Sequence, residues 1–447
     1  MALSGIQIYK LLPKTNCKDC GFPTCLAFAM KLAAKQVELT ACPHVSESSK
    51  TELAESSAPP IRLISLKSDG FEVKAGNEVV LYRHDKTFYN PPGLFVRLKD
   101  DESSEEIKEK VSKADAYKVN YVGMELTIDG FAVESVSGDP GKFSSAVQSV
   151  RSNTKRPLML IASDPSVAES GLKQLAGESP MLCGASNGNW EKMADLAKEN
   201  KASLVVKGSS LEEMADLSDK IKAKGVENLV LEPVASGQAS QLALNTQIRR
   251  LALKNFHSLG YPTLAMVCDA ENHDREINQA VQAIAKYSGF VVMSDFKPEE
   301  IYPLLVLRQN IYTDPQKPIQ VTPGLYDINS PTPDDPVLVT TNFSITYFSV
   351  ANEVESSGLP AWLLVTDAEG MSVLTAWAAG KFDAERIAKS VKAFNVEDKV
   401  SNKRIVLPGH VAVLSGDLEE ELPGWEIRVG PREAVDIPSY MKKVLGN

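Results

Sequence analysis

The sequence predicts a three-part α/β chain: a small cysteine-bearing N-terminal segment, a central TIM (β/α)8 barrel and a C-terminal Rossmann-like α/β sandwich. Three observations carry this reading. Four of the six cysteines crowd between positions 17 and 42. Eight apolar, β-rich runs separated by helical patterns then follow, and beyond a proline-rich break the alternation of strand and helix resumes. A chain of 447 residues is long enough for about three domains, since single cores seldom grow past roughly 250–300 residues. With 24% charged residues and a net charge of −10, the composition excludes a basic nucleic-acid binder. No apolar stretch approaches the roughly 18 residues of a membrane span, and the N-terminus lacks the features of a signal peptide. The reading is therefore cytoplasmic, a compartment in which clustered cysteines point to metal rather than to disulfides.

The first domain is expected over residues 1–56. Cys17, Cys20, Cys25 and Cys42 form C-x2-C-x4-C-x16-C-P, a set of four thiolates that fits one [4Fe–4S] cubane. Zinc is the competing ligand, but structural zinc sites usually bring two short-spaced pairs, and here only Cys17 and Cys20 make one. Thr24 reads as an N-cap for the helical run that begins at Cys25. Continued unbroken to Cys42, that helix would rise roughly 25 Å, so it must end near Ala34–Gln36 and the chain must double back. Leu26, Phe28, Ala29 and Leu32 are expected to shield one side of the cluster, while Lys14, Lys18 and Asp19 stay near water. The small, polar stretch 46–60 reads as a solvated linker.

The second domain is expected over 57–325. Its strands read as 93–98, 118–126, 156–163, 179–186, 202–209, 227–234, 262–269 and 289–295, all near-continuous apolar runs of the kind buried on both faces of a parallel sheet. Asp164-Pro165 and Ser210-x-x-Glu213 mark helix starts, and Gly225 a helix stop. A hairpin over 71–84, turning at Gly76-Asn77, is expected to plug the N-terminal end of the barrel. Glu125, Asp164, Asn187, Lys207, Glu232, Asp269 and Asp295 fall at the strands' C-terminal ends, where barrel enzymes keep their chemistry. No motif among them names a reaction, and helix capping accounts for such residues equally well. Cys183 and Cys268 read as small buried hydrophobes. His44, His84, His257, His273 and His410 show no paired metal spacing.

The third domain is expected over 326–447, with strands 337–341, 361–366, 404–407 and 425–430 and helices near 344–357 and 383–395. The segment 312–336 holds six prolines, which forbid a regular helix or a central strand, and reads as a semi-stiff tether. No dinucleotide or P-loop fingerprint is present.

This order of parts, with the C-x2-C-x4-C-x16-C segment at its head, resembles the large (gamma) subunit of the corrinoid iron–sulfur proteins of the reductive acetyl-CoA pathway. The cysteine pattern alone is also similar to cluster domains of electron-transfer subunits, which leaves an iron–sulfur electron-transfer subunit without corrinoid as the alternative. What the resemblance implies is a methyl carrier within a methyltransferase system, not a stand-alone enzyme, with no catalytic residue of its own. It implies a corrinoid (cobamide) in the C-terminal domain and a smaller barrel subunit as heterodimer partner. It implies a methyl group taken from methyltetrahydrofolate through a methyltransferase and passed to CO dehydrogenase/acetyl-CoA synthase, with the cluster reactivating Co(II) to Co(I). The D-x-H-x-x-G cobalt-ligating signature is absent, so no protein axial ligand is expected. Corrinoid side-chain amides need hydroxyls and backbone N–H groups at strand-to-helix loops. Thr340 and Thr346, then Gly370, Met371, Ser372, Val373 and Thr375, then Gly430 and Pro431, with Gly409 as a weaker fourth group, supply them.

Overall fold

The computed structural model describes residues 4–445, apart from 35, 47–48, 51–52, 54–58, 83–84, 86–87, 89 and 314–317. Most of the predicted linker 46–60, and His84, therefore lie outside the described residues. The chain divides into two compact units, Met1–Tyr117 with Thr127–Tyr312, and Lys118–Leu126 with Thr313–Asn447.

In the first unit, helix Gly5–Leu11 starts at a capping box between Ser4 and Gln7, and helix Cys25–Ala33 starts at Thr24, whose hydroxyl accepts from the Ala27 N–H. Ile8, Leu12, Phe28, Ala29, Val45 and Leu53 give this segment its own apolar core.

A hairpin of β1 (Ile64–Ser68) and β2 (Phe71–Ala75) comes next. It turns at Asp69-Gly70, where Gly70 has a φ of 81°, and not at Gly76-Asn77. At Gly76-Asn77 the chain instead runs beside 61–62: the Asn77 N–H donates to the Ile61 carbonyl at 2.9 Å, and the Arg62 carbonyl oxygen would lie 2.1 Å from a Cβ added at Gly76. The inward residues Ile64, Leu66, Val73 and Ala75 pack with Phe95 and Phe290 of the barrel core. Gly93, which opens β3 (Gly93–Lys99), leaves room for this plug, since a Cβ there would meet Val73 at 2.8 Å.

The apolar run 118–126 is not a barrel strand. Val122 and Gly123 both adopt positive φ, 51° and 77°, and fold it into a hairpin of β4 (Val119–Tyr121) and β5 (Met124–Leu126) that groups with the second unit. The barrel instead takes β6 (Gly130–Glu134), followed by β7 (Leu158–Ile161), β8 (Met181–Ala185), β9 (Ser203–Gly208), β10 (Leu229–Pro233), β11 (Thr263–Met266) and β12 (Ser288–Met293). With β3 these close into an eight-stranded, all-parallel barrel in the order β10-β11-β12-β3-β6-β7-β8-β9. All six residues of β12 are buried, as a strand covered on both faces requires. Phe95 and Phe290 meet edge to face at 6.3 Å inside the barrel, and truncating either to Ala should cost about 3–5 kcal/mol.

The second unit is built on a five-stranded sheet in the order β13-β15-β14-β16-β17, comprising β13 (Gly324–Ile328), β14 (Val337–Thr341), β15 (Ala361–Thr366), β16 (Arg404–Leu407) and β17 (Glu426–Val429). Four strands are parallel and β13 is antiparallel at the edge. β13 lies inside the proline-rich segment read as a tether. Its five residues contain no proline, and an edge strand tolerates prolines on either side. Strand alternation divides the interior into two cores. Val337, Val339 and Leu364 face Ile387 and Leu418 on one side, whereas Leu338, Leu363 and Val365 face Val354 and Ile437 on the other.

Candidate functional site

Three places in the fold gather polar or thiol chemistry. In the N-terminal segment the helix from Cys25 ends at Ala33 with Ala34 as its cap, and a 3-10 turn, Leu39–Ala41, delivers Cys42. Cys20, Cys25 and Cys42 belong to one packed cluster. Cys17 is exposed and lies within 4.8 Å, ligand atom to ligand atom, of Asp19 and His44. All six cysteines are free thiols. Cys25 sits at the first helical position, directly after the Thr24 cap. The Asn16 N–H donates to Cys25 Sγ at 3.4 Å while Asn16 Oδ1 accepts from the Cys25 N–H at 2.8 Å. Lys14, Asn16 and Lys18 all have positive φ, a strained conformation for non-glycine residues, in the loop that carries Cys17 and Cys20. His44 Nε2 lies 2.6 Å from Asp19 Oδ2; hydrogen bonds from His44 and then from the Cys17 thiol hold the Asp19 carboxyl below its usual range. Phe28 and Ala29 are buried as expected, but Leu26 is exposed: it shares an outer helix face with Met30, four residues on, which is exposed too.

The second unit contains a cavity of about 330 Å3 at the carboxyl ends of β14 and β16. Of the ten residues predicted for the C-terminal site, Thr340, Thr346, Ser372, Val373, Gly430 and Pro431 line it. The other four are not among the lining residues. The Gly370 N–H is bonded to Asn342, Met371 packs on the sheet core, Thr375 Oγ1 lies 3.1 Å from Ser372 Oγ, and the Gly409 N–H donates to the Pro431 carbonyl at 2.9 Å. Most of the remaining lining is aliphatic, including Leu338, Val350, Val406 and Ile437. Thr340 is fully buried, and its hydroxyl has no hydrogen-bond partner among the described residues. A buried hydroxyl without a partner loses the full cost of its desolvation, about 1–3 kcal/mol. Within a cavity, that loss is recovered when a ligand supplies an amide or other polar group.

Two further groups, one in the lining and one beside it, were not among the residues predicted for the site. His410 sits in the cavity wall with Nε2 3.5 Å from Glu433 Oε1. Asn342, the residue after β14, is 1% exposed and bonds to the 367–370 loop. The signal for both was positional: each follows a parallel strand at its carboxyl end.

At the mouth of the barrel a larger cavity, about 540 Å3, is lined by Lys207, Glu232, Gln241, Asn245, Asp269 and Arg275 among others. Lys207 Nζ lies 3.1 Å from Glu232 Oε1, and burial pushes the Glu232 carboxyl up against the pull of Lys207. Arg97 reaches Glu134 and Asp269, both at 3.0 Å, and the Cys268 carbonyl. Glu125 takes no part because it lies on the β4–β5 hairpin; the carboxylate ending the second barrel strand is Glu134. Asp164 caps the helix Pro165–Leu172, accepting from the N–H groups of Ser166 and Val167. Cys183 and Cys268 are buried, and burial raises both thiols well above their ordinary range.

A family model described as CO dehydrogenase/acetyl-CoA synthase delta subunit matches residues 64–441, and an Fe-S cluster family model matches residues 12–44. The corrinoid/iron-sulfur protein large subunit of Moorella thermoacetica is 45% identical over 100% of both chains. The acetyl-CoA decarbonylase/synthase complex subunit gamma of Archaeoglobus fulgidus is 35% identical over 98% of both. Among solved structures, dihydropteroate synthase from Thermus thermophilus covers 57% of this chain at 17% identity, with a TM-score of 0.39. The delta-subunit model begins downstream of the cysteines, whereas the relatives named large or gamma subunits align over 98–100% of this chain, so the full-length relatives decide the kind of subunit. With its thiol segment and its cavity both inside the aligned length, this chain belongs to the family of corrinoid/iron-sulfur protein large subunits and acetyl-CoA decarbonylase/synthase gamma subunits.

Proposed function

We propose that this chain is a methyl carrier: it takes a methyl group from methyltetrahydrofolate through a methyltransferase and delivers it to acetyl-CoA synthase, working as a heterodimer with a smaller barrel subunit in the cytoplasm. The observation that carries the reading is the presence, in one chain, of a four-cysteine segment and a C-terminal cavity with an unpartnered buried hydroxyl at Thr340. When bound, the corrinoid supplies a cobalt that takes up and yields the methyl group, and a [4Fe–4S] cluster supplies the electron that returns Co(II) to Co(I).

The donor sets fit these groups. Cys17, Cys20, Cys25 and Cys42 would hold the cluster, with the Asn16 N–H donating to the Cys25 sulfur and so favouring its reduced, more negative state. In the C-terminal unit, a Rossmann-like corrinoid domain on this reading, the Thr340 hydroxyl would bond a polar group of the corrinoid, and Thr346 and Ser372 would bond its amides. The aliphatic lining excludes water from around them. Glu433 engages His410, which fits a corrinoid without a protein axial ligand.

Protein purified without oxygen should contain about four iron, four sulfide and one cobalt per chain, with corrinoid bands above broad iron–sulfur absorption. Cluster absorption without cobalt, in protein expressed with a corrinoid supply and its small subunit, would instead identify a plain electron-transfer subunit.

A further inference from the structure

We propose that Asn342 is the positioning residue that holds one wall of the C-terminal cavity in its binding shape, an inference that rests on reading that cavity as the corrinoid site. Asn342 is the first residue beyond β14 and is almost wholly buried. Its Oδ1 accepts two backbone N–H groups, from Ala368 at 2.9 Å and Gly370 at 3.0 Å. Its Nδ2 donates to Asp367 Oδ1 at 3.1 Å and to Gln320 Oε1 at 3.2 Å. One side chain thus ties the end of β14 to the loop that leaves β15 and to the segment before β13.

Within that loop the Glu369 N–H donates to Asp367 Oδ1 at 3.0 Å and the Met371 N–H to the Ala368 carbonyl at 3.1 Å, and Asn342 supplies its ties to β14. Glu369 and Gly370 are consecutive left-handed residues, with φ of 55° and 73°, and the non-glycine member is strained there. Gly370 also packs so closely on Gln320 that an added Cβ would lie 2.7 Å from its Cγ. Directly after this turn the chain reaches Ser372, Val373 and Leu374, all three of which line the cavity. The strain is therefore local to the turn that aims three lining residues. The bonds that tie this turn to β14 converge on Asn342, and the Glu369 ion pair with Lys381 at 2.5 Å adds a surface tie.

The test uses the full chain with its iron and its small subunit, stripped of corrinoid, and follows three readouts: amide hydrogen exchange at Ala368 and Gly370, the dissociation constant for aquocobalamin from its visible spectrum, and iron content. Asn342→Ala removes both acceptor bonds. Exchange at those two amides should speed up, and the aquocobalamin constant should rise, each by about tenfold, with iron content unchanged. Asn342→Asp keeps the acceptor but loses the donors and faces Asp367, so a smaller shift is expected. Asn342→Ala with Glu369→Gly relieves the left-handed strain and should regain part of the affinity. If Asn342→Ala does not fold, Asn342→Asp and the double variant are judged by the same criteria. Unchanged exchange or an unchanged corrinoid constant overturns the proposal. Thr340→Val, measured alongside, then separates the causes: normal binding there means the cavity itself is misassigned, whereas weakened binding there means Asn342 alone is.

Discussion

At the mouth of the barrel, charged side chains find one another: Arg97 reaches Glu134 and Asp269, Lys207 reaches Glu232, and Arg97 Nε is the one side-chain atom of these five residues that is buried without a partner among the described residues. At the carboxyl ends of β14 and β16 the cavity is smaller and mostly aliphatic, yet a fully buried threonine hydroxyl is left over. Cavity size alone would favour the barrel. What separates the two is whether the polar groups are already satisfied by the protein, because an internally paired set loses contacts when a ligand enters, whereas an unpaired hydroxyl gains one. The four N-terminal cysteines differ again, being free thiols with only light ties to the protein, Cys17 to Asp19 and Cys25 to the Asn16 N–H.

The largest effect that would break this contrast lies at the thiols. Replacing Cys25 by Ala should abolish the cluster absorption and the bound iron while aquocobalamin is still retained. The N-terminal segment has its own apolar core, so the barrel should keep its far-ultraviolet signal. Reactivation of Co(II) should fail in the same variant. Unimpaired reactivation by a reductant protein would show that the cysteines serve another purpose.

Next in size is the barrel's internal pair. Lys207→Met leaves the buried Glu232 carboxylate without its cation, at a cost of about 1–3 kcal/mol read as a lowered Tm. Burial holds the Glu232 pKa above its ordinary 4.5, so any stability it contributes is present below that value and is lost as pH rises through the folded-state pKa. Without Lys207 that pKa moves higher still, and the deficit in Tm should widen from about pH 5 to about pH 8. Adding Glu232→Gln should flatten the pH dependence. Cluster and corrinoid content should stay at wild-type levels throughout; a loss of either would mean that the barrel mouth is not the self-contained structure its pairing describes.

Thr340→Val tests the other half. The exchange is close in volume and removes the hydroxyl alone, so in the cofactor-free protein it should be neutral or slightly stabilising, since an unpartnered buried group disappears. Corrinoid binding should weaken by about tenfold, the worth of one buried hydrogen bond. A variant that binds corrinoid as the wild type does would place the ligand elsewhere.

These regions also differ in how plainly the sequence announces them. The cysteine segment was legible because its candidate ligands are one residue type within 26 positions, and the length of an unbroken helix forced the chain to double back before Cys42. Seven of the eight barrel strands were legible as continuous apolar runs. The eighth was lost because Val122-Gly123 interrupts an apolar run with a turn, while Asp129-Gly130, which resembles a turn, opens the real strand β6. The C-terminal cavity was half legible. Glycines and hydroxyls after strands marked its loops, but a turn glycine bonds within the protein as readily as to a ligand, as Gly370 does to the Asn342 side chain and Gly409 to the Pro431 carbonyl. Asn342 escaped because nothing local distinguishes an asparagine that caps a turn from one that ties two loops across a sheet.

The smallest expected effect concerns His410, the histidine that the fold brings into the cavity although no cobalt-ligating motif surrounds it. Its Nε2 lies 3.5 Å from Glu433 Oε1, and its side chain is 34% exposed. A histidine committed to a carboxylate, in a wall rich in aliphatic side chains, is placed to orient Glu433 and the Gly430–Glu433 turn. Leaving cobalt without a nitrogen donor also makes chemical sense, because the electron-rich Co(I) state prefers no lower ligand and is then easier to reach. Electron paramagnetic resonance of the Co(II) form reads this directly, since an axial nitrogen splits the cobalt lines into triplets. The wild-type spectrum should show no such splitting, and His410→Ala should leave it unchanged, with corrinoid affinity altered by no more than about twofold. Triplet splitting in the wild type that vanishes in His410→Ala would make His410 the axial ligand and would move this cavity to the side of protein-satisfied sites.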